Sequence, residues 1–320
     1  MNLVRLSPGL IFCLFFVVSH FTNKYVLSVL KFTFPTIFLG WQTSTGALLL
    51  YVTGKFGWVE INGFTRSAAL LWLPGSIFFL GNIYAGSKAL AILPIPFFFV
   101  IQNLSELVFF LIVRLTQREP SSWMKILRSS WFRTLQSDHP AKSLQATSID
   151  SYQTLMLMSA VTLIMHNLQF GPNGYIWVSI HLFCFGSYRV FQRSSKSNHL
   201  SDLEQQLINY MISTFLLVSA AHPTGDVFGA LEFPFLMSYK FHSGCFASGL
   251  LGFLLLLASV KMKSGQTPLQ CAIWVLMAKI MASGLSVFVF ITELSPLTVY
   301  CILTNHAGEA LSIYSDKIQR

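Results

Sequence analysis

Two long apolar runs lie close together in residues 68–113, AALLWLPGSIFFLGNIYAGSKALAILPIPFFFVIQNLSELVFFLIV. The first run covers 68–86 and the second covers 93–113. Each is close to the roughly 20 apolar residues that an α-helix needs to cross the hydrocarbon core of a bilayer. The apolar residues are continuous and do not alternate with polar ones, which is typical of membrane helices and not of barrel strands. This stretch therefore predicts two neighbouring transmembrane helices.

The same pattern recurs along the rest of the chain. The 320 residues are 53% hydrophobic and only 10% charged, whereas soluble domains carry roughly 25% charged residues because their surfaces face water. We therefore expect an all-α polytopic membrane protein whose main partner is the lipid bilayer. Ten transmembrane helices are predicted, at 7–23, 34–53, 68–86, 93–113, 152–168, 174–190, 207–221, 242–260, 269–290 and 296–313.

The net charge of +9 carries information about orientation. If the N-terminus is cytosolic, most of the 21 Lys and Arg residues fall in cytosolic segments. The opposite side holds only Lys24, Lys31, Lys88 and Lys240, and Lys279 lies inside a predicted helix. Because membrane proteins keep positive charge on the cytosolic side, both termini are predicted to be cytosolic. The basic balance does not indicate a nucleic-acid partner.

Ten helices with both termini on one side suggest two halves of five. An odd number of helices gives the halves opposite orientations, so we expect a 5+5 inverted repeat, which is common among carriers. The chain is expected to form one membrane domain overall, with a first portion at 1–190, a cytosolic linker at 191–206 and the remaining helices at 207–320. Within the first portion, the polar, basic and serine-rich segment 117–151 is predicted to be a cytosolic loop.

Several predicted spans carry polar residues, which are costly in a bilayer unless they line a cavity or find a partner. Spacings of three and four residues are expected to place Gln102, Asn103 and Glu106 on one face of the fourth helix. The ninth helix carries Lys279, with Ser283 four residues later on the same face.

Further polar residues occur in the first, third and tenth spans. Asn305, Glu309 and Ser312 share one face of the tenth helix, and Lys24 and Lys88 lie near the predicted luminal ends of the first and third helices. One interpretation is a polar cavity near the middle of the membrane whose cations bind an anionic solute. The alternative is hydrogen bonding between helices or a buried Glu–Lys pair. The two luminal lysines could also extend to the membrane interface.

Sequence signatures of enzymes and metal sites are absent. The chain has no DxD, GxSxG or HExxH motif, and its histidines lack the spacing of metal ligands. Its five cysteines form no CxxC pair. We therefore expect a protein that is not an enzyme and that uses no cofactor and no metal.

Five short strings resemble a known family. They are NKYVLS at 23–28, YAGSKAL at 84–90, IP at 95–96, IQNLS at 101–105 and GPNGYIW at 171–177. In this order they are similar to nucleotide-sugar transporters of the drug/metabolite transporter superfamily, and in particular to Golgi GDP-mannose transporters. The resemblance covers nearly the whole chain except much of 125–151. It implies ten helices, a Golgi or ER membrane, and exchange of a cytosolic nucleotide sugar for a luminal nucleoside monophosphate.

Two substrate-binding motifs of the GDP-mannose transporters are only partly present. The Phe-Tyr-Asn-Asn motif, associated with guanine recognition, aligns with LINY at 207–210, which keeps one asparagine. The Gly-Ala-Leu-Asn-Lys motif aligns with VLMAK at 275–279, which keeps the lysine. A lysine neutralises a diphosphate whatever the base, but guanine needs several polar partners. These departures favour a UDP sugar over GDP-mannose.

The resulting hypothesis is a Golgi transporter of UDP-N-acetylglucosamine that works by alternating access. Lys279 is assigned to the diphosphate, and Asn209 and Tyr210 are assigned to the base. The expected substrate-binding residues are Lys279, Asn209, Tyr210, Asn103, Gln102, Glu106, Lys24, Lys88 and Ser283. The alternatives are a GDP-mannose transporter and a non-transporting membrane regulator or chaperone on the same fold. The sequence leaves open whether the chain forms a homodimer.

Overall fold

The computed structural model describes residues 3–61, 63–117, 151–167, 171–194 and 200–318, and these form helices without any strand. The helices of the first half are α1 (Leu3–Lys24), which continues as a short π-helix (Tyr25–Val29), α2 (Pro35–Lys55), α3 (Arg66–Ile92), α4 (Ile95–Gln102), α5 (Ser105–Gln117) and α6 (Ser151–His166). Those of the second half are α7 (Gly171–Ser194), α8 (Asp202–Ala221), α9 (Asp226–Leu231), α10 (Tyr239–Gly265), α11 (Pro268–Val289) and α12 (Pro296–Ile318).

A helix lies over each of the predicted spans, and the short α9 connects α8 to α10. Within the described residues, four segments are long and apolar enough to cross a membrane, namely Ser7–Val29, Arg66–Ile92, Tyr239–Gly265 and Pro268–Val289. The chain is therefore an all-helical, multi-pass membrane protein. The exact number of spans and the side on which the termini lie stay predictions.

The predicted helix at 93–113 is interrupted. α4 ends before Asn103 and Leu104, α5 begins after them, and the amide of Glu106 donates to the carbonyl of Asn103 at 3.4 Å. This bond spans three residues, as in a 3₁₀-helix, so the turn is tighter than the α-helices on either side of it. Asn103 and Glu106 were expected to share one face with Gln102, but Asn103 bonds side chains of α11 and α12 whereas Glu106 pairs with Arg189 of α7.

α4 lies in the middle of the helical bundle. All of its side chains from Ile95 to Ile101 are buried, and three of them are the consecutive phenylalanines 97–99. The helix contacts α3, α6, α7, α11 and α12. Close packing of large side chains fixes the position of such a helix, since burial alone gives little preference inside a membrane. Asn103, directly after α4, is thereby held near the centre of the protein.

A buried lysine ties the turn between α3 and α4 to the end of α1. The Nζ of Lys24 donates to the carbonyls of Leu90 at 2.8 Å, Leu93 at 2.9 Å and Ala91 at 3.4 Å. The last carbonyls of a helix lack partners within it and carry the negative end of the helix dipole, so an ammonium group stabilises them. Pro94 then begins the turn into α4. Lys24 thus positions α4.

The segment predicted as a linker at 191–206 is largely helical where it is described. α7 continues to Ser194, and α8 begins at Asp202. A capping box starts α8, because the Ser201 side chain accepts from the Glu204 amide while the Glu204 carboxylate accepts from the Ser201 amide. The loop predicted at 117–151 lies outside the described residues apart from its two ends.

The helix contacts follow a regular pattern. The most extensive contacts join α3 with α7, α2 with α8, α1 with α10 and α6 with α12. α11 packs against α1, α10 packs against α2, α8 packs against α3, and both α4 and α5 pack against α7. Most of these contacts join a helix of the first half to one of the second, so the two halves share one interior.

Candidate functional site

A buried ion pair joins α11 to α12. The Nζ of Lys279 lies 2.6 Å from Oε1 of Glu309, and their side chains are only 14% and 15% exposed. The same Nζ donates to Oδ1 of Asn103 at 2.6 Å, and Nδ2 of Asn103 donates to Oε2 of Glu309 at 2.8 Å. The ammonium, the carboxylate and the amide therefore form a closed triangle of hydrogen bonds.

A second asparagine fixes this triangle to α6. The Oδ1 of Asn305 accepts from Nδ2 of Asn103 at 2.9 Å, and Nδ2 of Asn305 donates to Oγ of Ser159 at 3.0 Å and to the carbonyl of Met156 at 3.1 Å. Asn305 and Glu309, two of the three residues expected on one face of α12, both bond Asn103. We call Lys279, Glu309, Asn103 and Asn305 the charged network.

Ser283 and His306 lie beside the charged network. The Oγ of Ser283 is 3.4 Å from Nε2 of His306, and Nδ1 of His306 is 3.7 Å from Oε2 of Glu309. Lys279 and Ser283, which were expected to share one face of their helix, both contact side chains of α12. Ser283 and His306 border an otherwise apolar cavity of about 430 Å³ between α11, α12 and the start of α4.

The charged network contains a cation whose charge one carboxylate balances. An ammonium group has three donors, and the contacts of Lys279 in the described part of the chain use two of them. Its charge is balanced by Glu309, which corresponds to the Glu–Lys pair foreseen as an alternative. Because an uncompensated charge is costly in the membrane interior, Lys279 needs either this carboxylate or another anion close by.

Glu106 does not belong to this network. Its Oε1 forms an ion pair with Nη1 of Arg189 on α7, and the two side chains are 49% and 35% exposed. The guanidinium also lies 5.5 Å from the centre of the Phe109 ring. Asn103 is therefore the residue that the described part of the fourth span places in the charged network, whereas Glu106 contacts α7. Gln102 is partly exposed beside it.

Asn209 is surrounded by neutral partners at the contact of α3, α7 and α8. Its Oδ1 accepts from Nε1 of Trp72 and from Oγ of Ser76, each at 2.9 Å, and its Nδ2 donates to the hydroxyl of Tyr188 at 2.9 Å. Asn209 and Ser76 are 0% exposed and Trp72 is 1% exposed. We call Trp72, Ser76, Tyr188 and Asn209 the neutral network. None of its recorded partners is shared with Lys279.

Tyr210 packs closely between α2 and α3. Its ring centre is 6.0 Å from that of Phe79, and a Cβ at Gly46 would lie 2.6 Å from its Cε2. Only glycine allows α2 to approach this ring so closely. The aromatic face expected to stack on a base is thus partly covered by protein.

A third polar cluster joins α1, α2 and α10. The Oδ1 of Asn23 accepts from Nε2 of Gln42 at 3.0 Å and from Oγ of Ser248 at 2.5 Å, and Gln42 also donates to Ser248. Ser248 is 1% exposed, and the other two side chains are partly buried. We call these three residues the Gln42 cluster.

The two predicted luminal lysines differ. Lys24 is 6% exposed and is occupied by the backbone carbonyls at the end of α3, which corresponds to a structural role. Lys88 is half-buried on α3, and within the described ranges it has no recorded hydrogen bond or ion pair. Lys88 is therefore the one of the two whose charge is available to a solute.

Sequence reasoning missed the residues that hold Asn209 and Gln42. Ser76, Ser248 and Tyr188 were not singled out, because serine in a membrane helix usually bonds its own backbone and tyrosine usually lies at the interface. These residues could have been found from the sequence only as polar side chains that occur in apolar spans. Among the described residues, no group of three His, Cys, Asp or Glu side chains could hold a metal ion.

Comparison with known proteins gives two similar chains of nearly equal length. The UDP-N-acetylglucosamine transporter TMEM241 homolog of Xenopus laevis is 50% identical over 312 residues, 97% of each chain. The UDP-N-acetylglucosamine transporter TMEM241 of Mus musculus is 45% identical over 317 residues, 99% of each chain. No family model matches the sequence.

More distant similarity extends to carriers of another nucleotide sugar and to a solved structure. GDP-mannose transporter 1 of Cryptococcus neoformans is 26% identical over 221 residues, which cover 67% of this chain and 55% of that protein. One solved crystal structure matches the fold over 100% of both chains, with a TM-score of 0.55 and 13% sequence identity. At that identity the match shows a shared fold alone.

Proposed function

Because this chain belongs to the nucleotide-sugar transporter family that includes the TMEM241 proteins, we propose that it carries UDP-N-acetylglucosamine from the cytosol into the Golgi lumen in exchange for UMP. The observation that carries this proposal is Lys279, an ammonium group held near the middle of the bundle by Asn103 and Glu309. A cation at this depth is suited to a solute that carries phosphate charge.

The ion pair suggests how the phosphates bind. A diphosphate brings negative charge to Lys279 and takes the place of Glu309 in its coordination, while Glu309 turns toward His306, whose Nδ1 lies 3.7 Å from its Oε2. Asn103, which bonds both members of the pair, then reorients its amide toward the phosphate or the sugar. Gln102 and Ser283 are next to these two residues and are proposed to contact the sugar.

The base is proposed to lie toward α8. Tyr210 offers a ring for stacking, and Asn209 can bond the base once it exchanges its contacts with Ser76 and Tyr188 for the base edge. A single asparagine satisfies the smaller edge of uracil more readily than that of guanine, which favours the UDP sugar. Lys88 is proposed to attract the incoming monophosphate from the luminal side.

The helix contacts support ten spans and a 5+5 inverted repeat. An inverted repeat makes each of the first five spans equivalent to the span five places later, so that α1 corresponds to α7, α2 to α8 and α3 to α10. Under this correspondence the α1–α10 contact is equivalent to α7–α3, and the α2–α10 contact is equivalent to α8–α3. The α1–α11 contact is equivalent to that of α7 with α4 and α5. The α2–α8 and α6–α12 contacts each join two equivalent helices. We propose that two such halves rock about Lys279 with both termini in the cytosol.

Uptake by proteoliposomes that contain the purified full-length chain tests the proposed function. Vesicles preloaded with UMP, GMP or buffer receive radiolabelled UDP-N-acetylglucosamine, UDP-galactose or GDP-mannose. We expect saturable uptake of UDP-N-acetylglucosamine that requires internal UMP. Uptake of GDP-mannose that requires GMP would replace the UDP assignment, and no uptake by folded protein would favour the non-transporting regulator.

A further inference from the structure

The Gln42 cluster and the neutral network are built alike from equivalent parts of the two halves. The first joins α1, α2 and α10, and the second joins α7, α8 and α3. In the proposed inverted repeat α1, α2 and α10 are equivalent to α7, α8 and α3, so the two clusters lie at equivalent places. In both, a buried serine on the third helix donates to an asparagine carbonyl oxygen, from Ser248 to Asn23 and from Ser76 to Asn209.

The two clusters also lie at equivalent depths, measured from opposite ends of the protein. Gln42 and Asn209 are the same number of residues into their helices, which begin at Pro35 and Asp202. At about 1.5 Å per residue, each lies roughly 10 Å along its helix axis. In the predicted orientation α2 and α10 begin on the luminal side, whereas α3 and α8 begin on the cytosolic side.

Each cluster bridges the two halves. Gln42 on α2 bonds Ser248 on α10, and Asn209 on α8 bonds Ser76 on α3. The charged network is a separate buried group, in which Lys279 and Glu309 are at most 15% exposed. Both bridges between the halves are formed at the same time in this structure.

We infer that the Gln42 cluster closes the luminal side of the carrier and the neutral network closes the cytosolic side, as two equivalent junctions that open in alternation. Gln42, Ser248 and Asn23 are thereby positioning residues of the transport cycle and do not contact substrate. Opening of the cytosolic junction frees Asn209 for the base of an incoming nucleotide. This inference rests on the alternating access proposed above.

Matched serine variants test the two junctions without substrate. Ser248→Ala and Ser76→Ala each remove one buried hydroxyl, and hydrogen–deuterium exchange is measured by mass spectrometry on the full-length chain in nanodiscs. We expect Ser248→Ala to raise amide exchange about fivefold at the starts of α2 and α10, as expected for the loss of one net hydrogen bond. It should also lower exchange at the starts of α3 and α8, and Ser76→Ala should do the reverse.

Ser213→Ala is the control, because Ser213 is fully buried on α8 and its hydroxyl has no hydrogen-bond partner among the residues that the structure describes. It should change exchange at neither end. The reciprocal decrease at the opposite end is decisive, since a hydroxyl with a purely structural role would only loosen its own surroundings. Increases confined to the mutated side, or no change, would overturn the two junctions. Because no nucleotide is present, this result is independent of which substrate is carried.

Discussion

The charged network around Lys279 and the neutral network around Asn209 are both buried among helices, but they differ in the charge of the groups that bond each other. In the charged network an ammonium and a carboxylate compensate each other, and both retain some exposure. In the neutral network the amide of Asn209 is fully enclosed by uncharged donors and an acceptor. One network depends on an anion, and the other depends only on geometry.

This difference separates binding from closure. A charge in a membrane protein must keep a counter-charge in every state, so the charged network favours exchange of one anion for another. A neutral hydrogen bond has a net free energy of about 1 kcal/mol and can open and close with little cost. We therefore expect the charged network to respond to ligand and the neutral network to respond to conformation.

Loss of the ammonium should have the largest effect. Lys279→Ala is expected to lower UMP-dependent uptake by about 100-fold, because a charge-assisted bond to phosphate contributes about 2–3 kcal/mol. The measurement is initial uptake of UDP-N-acetylglucosamine by proteoliposomes with equal amounts of folded protein.

Two further variants make this result interpretable. Lys279→Ala leaves Glu309 without its counter-charge, so the double variant with Glu309→Ala removes both charges and should fold without restoring uptake. Lys263→Ala removes an exposed lysine that pairs with Asp202 near the ends of α10 and α8, and it should keep normal uptake. Uptake close to that of the unmodified protein by Lys279→Ala would exclude Lys279 from the substrate site.

Removal of the carboxylate charge should lower stability and strengthen the response to ligand. Glu309→Gln leaves Lys279 without an anion, and breaking a buried ion pair in this way costs about 3 kcal/mol in proteins. The melting temperature in detergent should fall without nucleotide and should rise more with UMP than it does for the unmodified protein, since phosphate now supplies the missing charge. An unchanged melting temperature would mean that the ion pair contributes nothing to the fold.

The sequence indicated some residues of the candidate site and not others, depending on whether a residue is unusual within its own span. Lys279 was found because a cation in the middle of an apolar span has few alternatives, and Asn103 and Glu309 were found as polar residues in such spans. A buried Glu–Lys pair was foreseen as an alternative, but that Glu309 and Asn103 are the partners of Lys279 was not predicted, because hydrogen bonds between distant helices leave no trace in local spacing. The partner of Glu106 was not predicted either, because spacing along one helix does not show that its carboxylate pairs with Arg189 of α7.

Helix positions were predicted better than helix contacts for the same reason. The length of an apolar run matches the thickness of the bilayer core, so such runs predict helices well, and a helix occurs over every predicted span. The partners of Asn209 depend on which helices meet at one depth. That information lies in the packing of small residues such as Gly46, which the composition of a span does not reveal.

A change in the neutral network should have a smaller effect on stability. Tyr188→Phe removes the acceptor of the Asn209 amide but keeps the ring, which lies 5.9 Å from that of Phe79. We expect a loss of about 1 kcal/mol, measured as a lower melting temperature, because one neutral donor becomes unpaired. Tyr314→Phe, at a residue that is 59% exposed, is the control. A loss as large as that of Glu309→Gln would remove the distinction between the two networks.

The smallest effect is expected for the ion pair outside both networks. Glu106 and Arg189 are partly exposed, and pairs of this kind contribute at most about 1 kcal/mol. Glu106→Gln should therefore change uptake by less than about twofold and should leave the melting temperature nearly unchanged. Sequence spacing had placed Glu106 with Asn103 in the substrate site, whereas in the structure its carboxylate pairs with Arg189 of α7. A tenfold loss of uptake in folded Glu106→Gln protein would return this carboxylate to the site and would require its pair with Arg189 to open during transport.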